Sequence, residues 1–181
     1  MRKIRYNCAI SVDGFVAEKD GGFDCFTMEG PHVTDFVAGF ANYDVALMGR
    51  RTYEVGLKSG VTNPYPTMKT YVFSRTMKES PDPAVTIVST GVTELVRSLK
   101  KQEGKYIWLV GAGDFATALF AEDLVDEVLI KVNPLLLGEG IPIVASLKQA
   151  TRLELLDSKV YDNGVVLLSY RVKPRTASGA S

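Results

Sequence analysis

Apolar residues fall at every second position near the start of the chain (Ile4, Tyr6, Cys8, Ile10, Val12), the period of a strand with one apolar face. That pattern runs into Ser11-Val12-Asp13-Gly14, where Asp-Gly marks a turn, and Lys19-Asp20-Gly21-Gly22 extends the connection. From Pro31 the period lengthens, because Val33, Phe36, Val37 and Phe40 share one helical face. Residues 45–48 read as the next strand and Arg50-Arg51-Thr52 as a helix start, with a loop between Gly56 and Pro66. Lys69–Phe73 and Val85–Val88 read as strands, and Val92, Leu95, Val96 and Leu99 mark an amphipathic helix ended by Gly104. Tyr106–Val110 is almost wholly apolar, as a strand covered on both faces should be. Gly111-Ala112-Gly113 turns into a short helix over 114–122, and 127–132 is another strand. Residues 152–161 and 165–172 flank Asp162-Asn163-Gly164, a hairpin turn.

Strands alternating with helices, then a hairpin, predict an α/β fold. We expect a mixed, mostly parallel sheet with helices on both faces and a C-terminal antiparallel hairpin. One domain is expected over residues 1–173, with the small and polar residues 174–181 as a flexible tail. Lys+Arg and Asp+Glu are equal at 21 each, so no overall field draws nucleic acid or an anionic membrane, and any anion must be held locally. Cys8 and Cys25 are too few for a disulfide framework and stand in no metal-ligand spacing. No run has signal-peptide or membrane-spanning character, so a cytoplasmic location is expected.

Three strand ends carry anion-friendly chemistry. After residues 45–48 come Gly49, Arg50, Arg51 and Thr52, where a glycine, two guanidiniums and free helix N–H groups suit a phosphate. After Lys69–Phe73 come Ser74, Arg75 and Thr76, a set for a phosphate monoester or a ribose. After Tyr106–Val110, Gly111-Ala112-Gly113-Asp114-Phe115-Ala116 matches G-x-G-x-x-A. A Rossmann fingerprint belongs early in the chain and needs an acid ending the next strand, whereas that strand runs Lys131-Val132-Asn133-Pro134. What remains is a glycine turn at a helix start, which Asp114 either caps or competes for. Ligands of open α/β sheets collect at the carboxyl ends of the strands, so three such ends point to one anionic ligand.

These segments resemble the dihydrofolate reductase superfamily, especially the branch of the reductase domain of the bifunctional riboflavin-biosynthesis deaminase-reductase. Ala9-Ile10-Ser11-Val12-Asp13-Gly14 is similar to its first strand and loop, and Gly49-Arg50-Arg51-Thr52 to its Gly-Arg-x-Thr element. Val72-Phe73-Ser74-Arg75-Thr76 resembles its adenosine-side strand end, Val110-Gly111-Ala112-Gly113 its glycine turn, and 126–142 its late strand and loop. The resemblance implies an NADPH-binding reductase. Ala9 and Ile10 would meet the nicotinamide through backbone groups, and Thr52, Gly111, Ala112 and Gly113 would hold the pyrophosphate. Arg50, Ser74 and Arg75 would take the 2′-phosphate, with Gly49, Arg51 and Asp114 completing the cofactor site. It also implies a pyrimidine or pterin-like heterocycle as substrate, and a homodimer. A true dihydrofolate reductase and a non-catalytic NADPH-binding protein are the other readings.

Folate enzymes place a carboxylate in the first helix. Asp35 is the candidate here, opposite the apolar stripe and facing either a cleft or water. Asp13 is the second acid, with an Asx-turn before Gly14 as the other reading. His32, the only histidine, is placed exposed at the helix start, and Trp108 in the core. Lys58 could meet an acidic substrate or only water. Exposed apolar surface near residues 135–137 or on the last hairpin would fit a dimer.

Overall fold

A computed structural model describes residues 1–175 of the chain. Ten strands and four helices follow in order: β1 (Ile4–Ser11), β2 (Phe15–Ala17), α1 (Pro31–Ala38), β3 (Tyr43–Gly49), α2 (Arg50–Lys58), β4 (Lys69–Phe73) and β5 (Val85–Val88). Then come α3 (Val92–Lys101), β6 (Tyr106–Val110), α4 (Asp114–Ala121), β7 (Glu127–Asn133), β8 (Ile141–Pro142), β9 (Leu153–Val160) and β10 (Val166–Val172). Eight strands form one sheet in the order β5-β4-β3-β6-β1-β7-β10-β9, while β2 and β8 pair separately. All pairs from β5 to β7 are parallel, and β10 runs antiparallel to both of its neighbours. The fold is the mixed α/β architecture expected.

Strand alternation sorts the side chains into two cores. Ile4 and Tyr6 join Leu47, Ile107 and Leu109 beneath α3 and α4, where Val96, Leu99, Ala116 and Leu119 close the layer. Ala46, Met48, Val72 and Trp108 point the other way, covered by Tyr53 of α2 and by Phe36 and Phe40 in and after α1. Strands β3 and β6 are buried on both faces, which explains their nearly continuous apolar sequence.

Several local expectations differ from the structure. The face that α1 buries includes His32, which is 4% exposed, whereas Val37 is 56% exposed. A short 3-10 turn over Gly39–Asn42 carries Phe40 back onto the sheet. Helix α2 continues through Gly56 to Lys58, and β2 and β8 lacked a readable period because they are so short. The hairpin turn closes as expected, with Tyr161 N–H donating to the Val165 carbonyl at 2.9 Å. Beyond β10, Arg175 is anchored: it donates to Asp123 Oδ1 at 2.7 Å and to the carbonyls of Phe120 and Ala121. The rest of the expected tail, residues 176–181, lies outside the described residues. No helix among the described residues is long and apolar enough to cross a membrane.

Candidate active site

The three anion-friendly strand ends lie side by side. Gly49 is level with Phe73 across β3 and β4, and Met48 with Val110 across β3 and β6. Helix α4 locks them together, because Phe115 stacks on Phe73 at 4.6 Å between ring centroids. A Cβ on Gly49, which lies beneath, would meet Phe115 Cβ at 3.3 Å. Gly111 takes a φ of +85°, and a Cβ there would overlap the Thr52 hydroxyl, so only glycine lets the β6 turn approach the start of α2. Gly113, with φ +74°, precedes α4 and has open space where a side chain would be. These glycine turns, with Thr52 against them, make a cradle lined by backbone rather than side chains. That fits a dinucleotide pyrophosphate.

The charged groups around the cradle differ in availability. Arg50 is engaged with Glu54 at 2.6 Å, one helical turn away. Arg51 is exposed and stands 3.7 Å from Asp114. Asp114 does not cap α4: no side-chain cap bond is made, and its carboxylate is exposed in the first turn. Arg75 is exposed, and among the described residues it has no ion-pair partner. The Ser74 hydroxyl is turned inward, accepting the N–H groups of Thr76 at 3.2 Å and Met77 at 2.8 Å. It shapes the turn that presents Arg75. Lys58 closes α2 and is exposed.

Next to the cradle the sheet forks. Strand β1 pairs with β6 only from Ile4 to Tyr6, but with β7 as far as Ser11. Asn133 donates to the Ile10 carbonyl from the β7 side at 3.3 Å, while Trp108 Nε1 donates to the Asn7 carbonyl from the β6 side at 3.2 Å. Backbone groups of successive residues alternate in direction, so those of Ala9 face the edge that β6 has left. Ala9 therefore turns its backbone polar groups toward the gap between β1 and β6. Ile10 is turned the other way, and its carbonyl is already taken.

The two candidate acids are both engaged. Asp13 Oδ1 and Oδ2 accept the N–H groups of Leu137 (3.1 Å) and Gly138 (2.7 Å), so this carboxylate clamps the β1–β2 turn to the β7–β8 loop. The Ser11 hydroxyl and those N–H groups hold it below the usual carboxylate range. Asp35 accepts from Lys159 Nζ at 2.6 Å and from the Tyr161 hydroxyl at 2.8 Å. Lys159 foremost, then Tyr161, lowers its pKa. Asp35 stands at the mouth of a cavity of about 70 Å³ between α1 and the sheet, whose walls include Asn7, Phe36, Tyr43, Lys131 and Tyr161. His32 is buried in the same wall. Its Nε2 lies 2.9 Å from the Thr27 carbonyl and its Nδ1 3.0 Å from the Asn163 amide, so the imidazole ties α1 to the hairpin turn.

Sequence reasoning missed Lys131. The residue is 9% exposed, and its ammonium sits 3.3 Å from the centroid of the Phe36 ring and makes no ion pair among the described residues. Burial lowers its pKa to about 8. The cation–π contact returns about 2 kcal/mol, less than the several kcal/mol that removing an ammonium from water costs. The one available signal was a lysine at an inward position of the apolar strand β7.

Comparison with known proteins places this geometry. The chain is 32% identical over 181 residues to the uncharacterized protein YyaP of Bacillus subtilis, covering 93% of this chain and 94% of that one. A crystal structure of a candidate riboflavin biosynthesis protein from Shewanella sp. PV-4 superposes with a TM-score of 0.82 at 27% identity, covering 95% of this chain and 99% of that chain. Dihydrofolate reductase from Enterococcus faecalis, complexed with NADP(H) and RAB-propyl, shares the fold at a TM-score of 0.70 and 15% identity, covering 95% and 97%. Residues 2–167 match the RibD C-terminal domain family, and with the forked sheet and glycine cradle of a dihydrofolate-reductase-like fold the chain belongs to that family.

Proposed function

We propose that the protein is an NADPH-dependent reductase of the riboflavin-biosynthesis type, resembling 5-amino-6-(5-phosphoribosylamino)uracil reductase and acting on a pyrimidine or pterin-like heterocycle. The observation that carries this reading is the meeting of the Thr52–Gly111 contact with the fork that exposes the Ala9 backbone. Thr52, Gly111, Ala112 and Gly113 hold the pyrophosphate, and Ala9 orients the carboxamide by its N–H and C=O. Arg75 takes the 2′-phosphate together with the exposed Arg51, while Arg50 is braced by Glu54. NADPH when bound supplies the hydride. The chain's own part is to align the reactants and keep water out.

The engaged state of Asp35 favours this reading over a true dihydrofolate reductase, which needs an acid free to meet the pterin ring. Fluorescence titration of NADPH and NADH, then loss of nicotinamide absorbance across a panel of pyrimidines and pterins, tests the reading. Tighter NADPH binding with turnover of a pyrimidine is expected. Failure to bind NADPH would overturn it, and turnover of dihydrofolate alone would move the assignment to the folate enzymes.

The same reading includes a homodimer. Edge strand β9 exposes Leu153, Leu155, Leu156 and Val160, a stripe that a second copy would cover. Sedimentation should give a dimer that Leu155→Lys converts to monomer, and a monomeric wild-type protein would refute it.

A further inference from the structure

Lys131 and the cavity above it have no part in the cofactor cradle. In the β1–β7 register Lys131 is level with Ala9, and Leu129 with Asn7, so all four side chains share the face under α1. The cavity lined by Asn7, Leu129 and Lys131, with Phe36 as one wall, has room for roughly two water volumes or for one edge of a flat ring.

The polar groups in that wall are unevenly satisfied. Arg5 is spent on Glu127, at 2.6 Å, and Asp35 on Lys159 and Tyr161. Asn7 Oδ1 and the Tyr43 hydroxyl, on residues 7% and 4% exposed, are buried without a well-formed hydrogen bond among the described residues, and Arg5 and Asn7 both face that hydroxyl. His32 is committed to Thr27 and Asn163. Cys8, on the opposite face of β1, is held protonated by burial, its pKa near 12, and offers Lys131 no counter-charge. One unspent ammonium donor and one unspent amide acceptor therefore line the same cavity. A buried charge and two buried orphans are costly to keep unless something pairs with them.

We propose that Lys131 is a substrate-anchoring residue, its ammonium donating to a ring carbonyl while Asn7 Oδ1 accepts the adjacent N–H, so that the cavity selects heterocycles with a lactam edge. This deepens the reductase reading and rests on it for the identity of the second substrate. The complementarity itself concerns only this cavity: a carbonyl next to an N–H matches a donor next to an acceptor, and an N-alkylated ring does not. Binding a lactam there also supplies the partner that Lys131 otherwise lacks.

Calorimetric titration of the full chain with uracil and with 1,3-dimethyluracil tests this, on wild type and on Lys131→Met. Uracil is expected to bind the wild type, at least about tenfold more tightly than the dimethyl compound and than uracil binds the variant. Lys131→Met should keep its NADPH affinity and melt at a higher temperature, because an apolar chain replaces an unpaired charge; a merely structural lysine would melt lower. No uracil binding by the wild type, equal binding by the variant, or equal binding of the methylated ring would each overturn the proposal. Loss of NADPH binding by the wild type would instead count against the reductase reading and leave the cavity result standing.

Discussion

The glycine cradle and the α1 cavity lie on the same sheet but are built by opposite means. The cradle is made of backbone at three successive strand ends, held by Thr52 against Gly111 and Phe115 against Phe73. The cavity is made of side chains from β1, α1, β7 and the β9–β10 hairpin, elements far apart in sequence. A backbone site depends on which residues are glycine. A side-chain site depends on which charges remain after the others have paired. The first should tolerate no added bulk at Gly111, and the second should respond mainly to a change in charge.

The largest effect expected is at the cradle. Gly111→Val puts a branched side chain at a positive φ and into the Thr52 hydroxyl, and should cost about 2–5 kcal/mol of stability while removing NADPH binding. Urea unfolding and fluorescence titration would measure both. A variant that binds NADPH normally would show that the Thr52–Gly111 approach is not what forms the cradle.

Next comes the cavity, through pH. The Lys131 pKa is lowered from 10.5 to about 8 by burial, so the unfolded chain holds that proton to higher pH than the folded one. Stability must therefore rise as pH climbs from about 8 towards 10.5, and below about 8 the full cost of the buried charge is present. The total is about 3 kcal/mol. Lys131→Met should abolish this rise relative to wild type in urea melts across that window. Identical pH dependence in the two proteins would mean that Lys131 is hydrated after all.

A smaller effect separates the rim from the cradle floor. Arg75→Ala should weaken NADPH about tenfold, the worth of a charge-assisted hydrogen bond, and leave NADH nearly unchanged. Equal weakening of the two cofactors would remove Arg75 from the 2′-phosphate. The smallest effect is expected from Asp13→Asn, which loosens the clamp on Leu137 and Gly138. Faster amide exchange at those two positions, with unchanged NADPH affinity, is the expected signature. A large fall in turnover of any substrate found would instead restore a catalytic part for Asp13.

The same contrast explains what could be read in advance. Strands β4, β5 and β6 were bounded correctly because apolar runs ending in polar or glycine turns carry their own limits. Two of the three cradle turns, after β3 and β6, were legible because glycine before a helix is a local signal, and the turn after β4 because a hydroxyl and a guanidinium follow an apolar run. The face of α1 was misjudged because helical periodicity ranks Val37 above His32, whereas His32 finds partners on Thr27 and Asn163, one of them 131 residues away. That the Ser74 hydroxyl also supports its own turn was not legible, because that depends on which N–H groups the chain brings back to it. Lys131 was passed over because nothing nearby in sequence records that every carboxylate in reach is already spent.

The fork between β1 and β6 has a practical consequence. Trp108, the only indole in the chain, donates its N–H to Asn7 where the two strands part, and lies 5.7 Å from the Phe36 ring that lines the cavity. Its emission therefore samples both compartments from one position. A quench by cofactor and a separate spectral shift by a ring in the cavity could be followed in unlabelled protein, giving the order in which the two ligands enter.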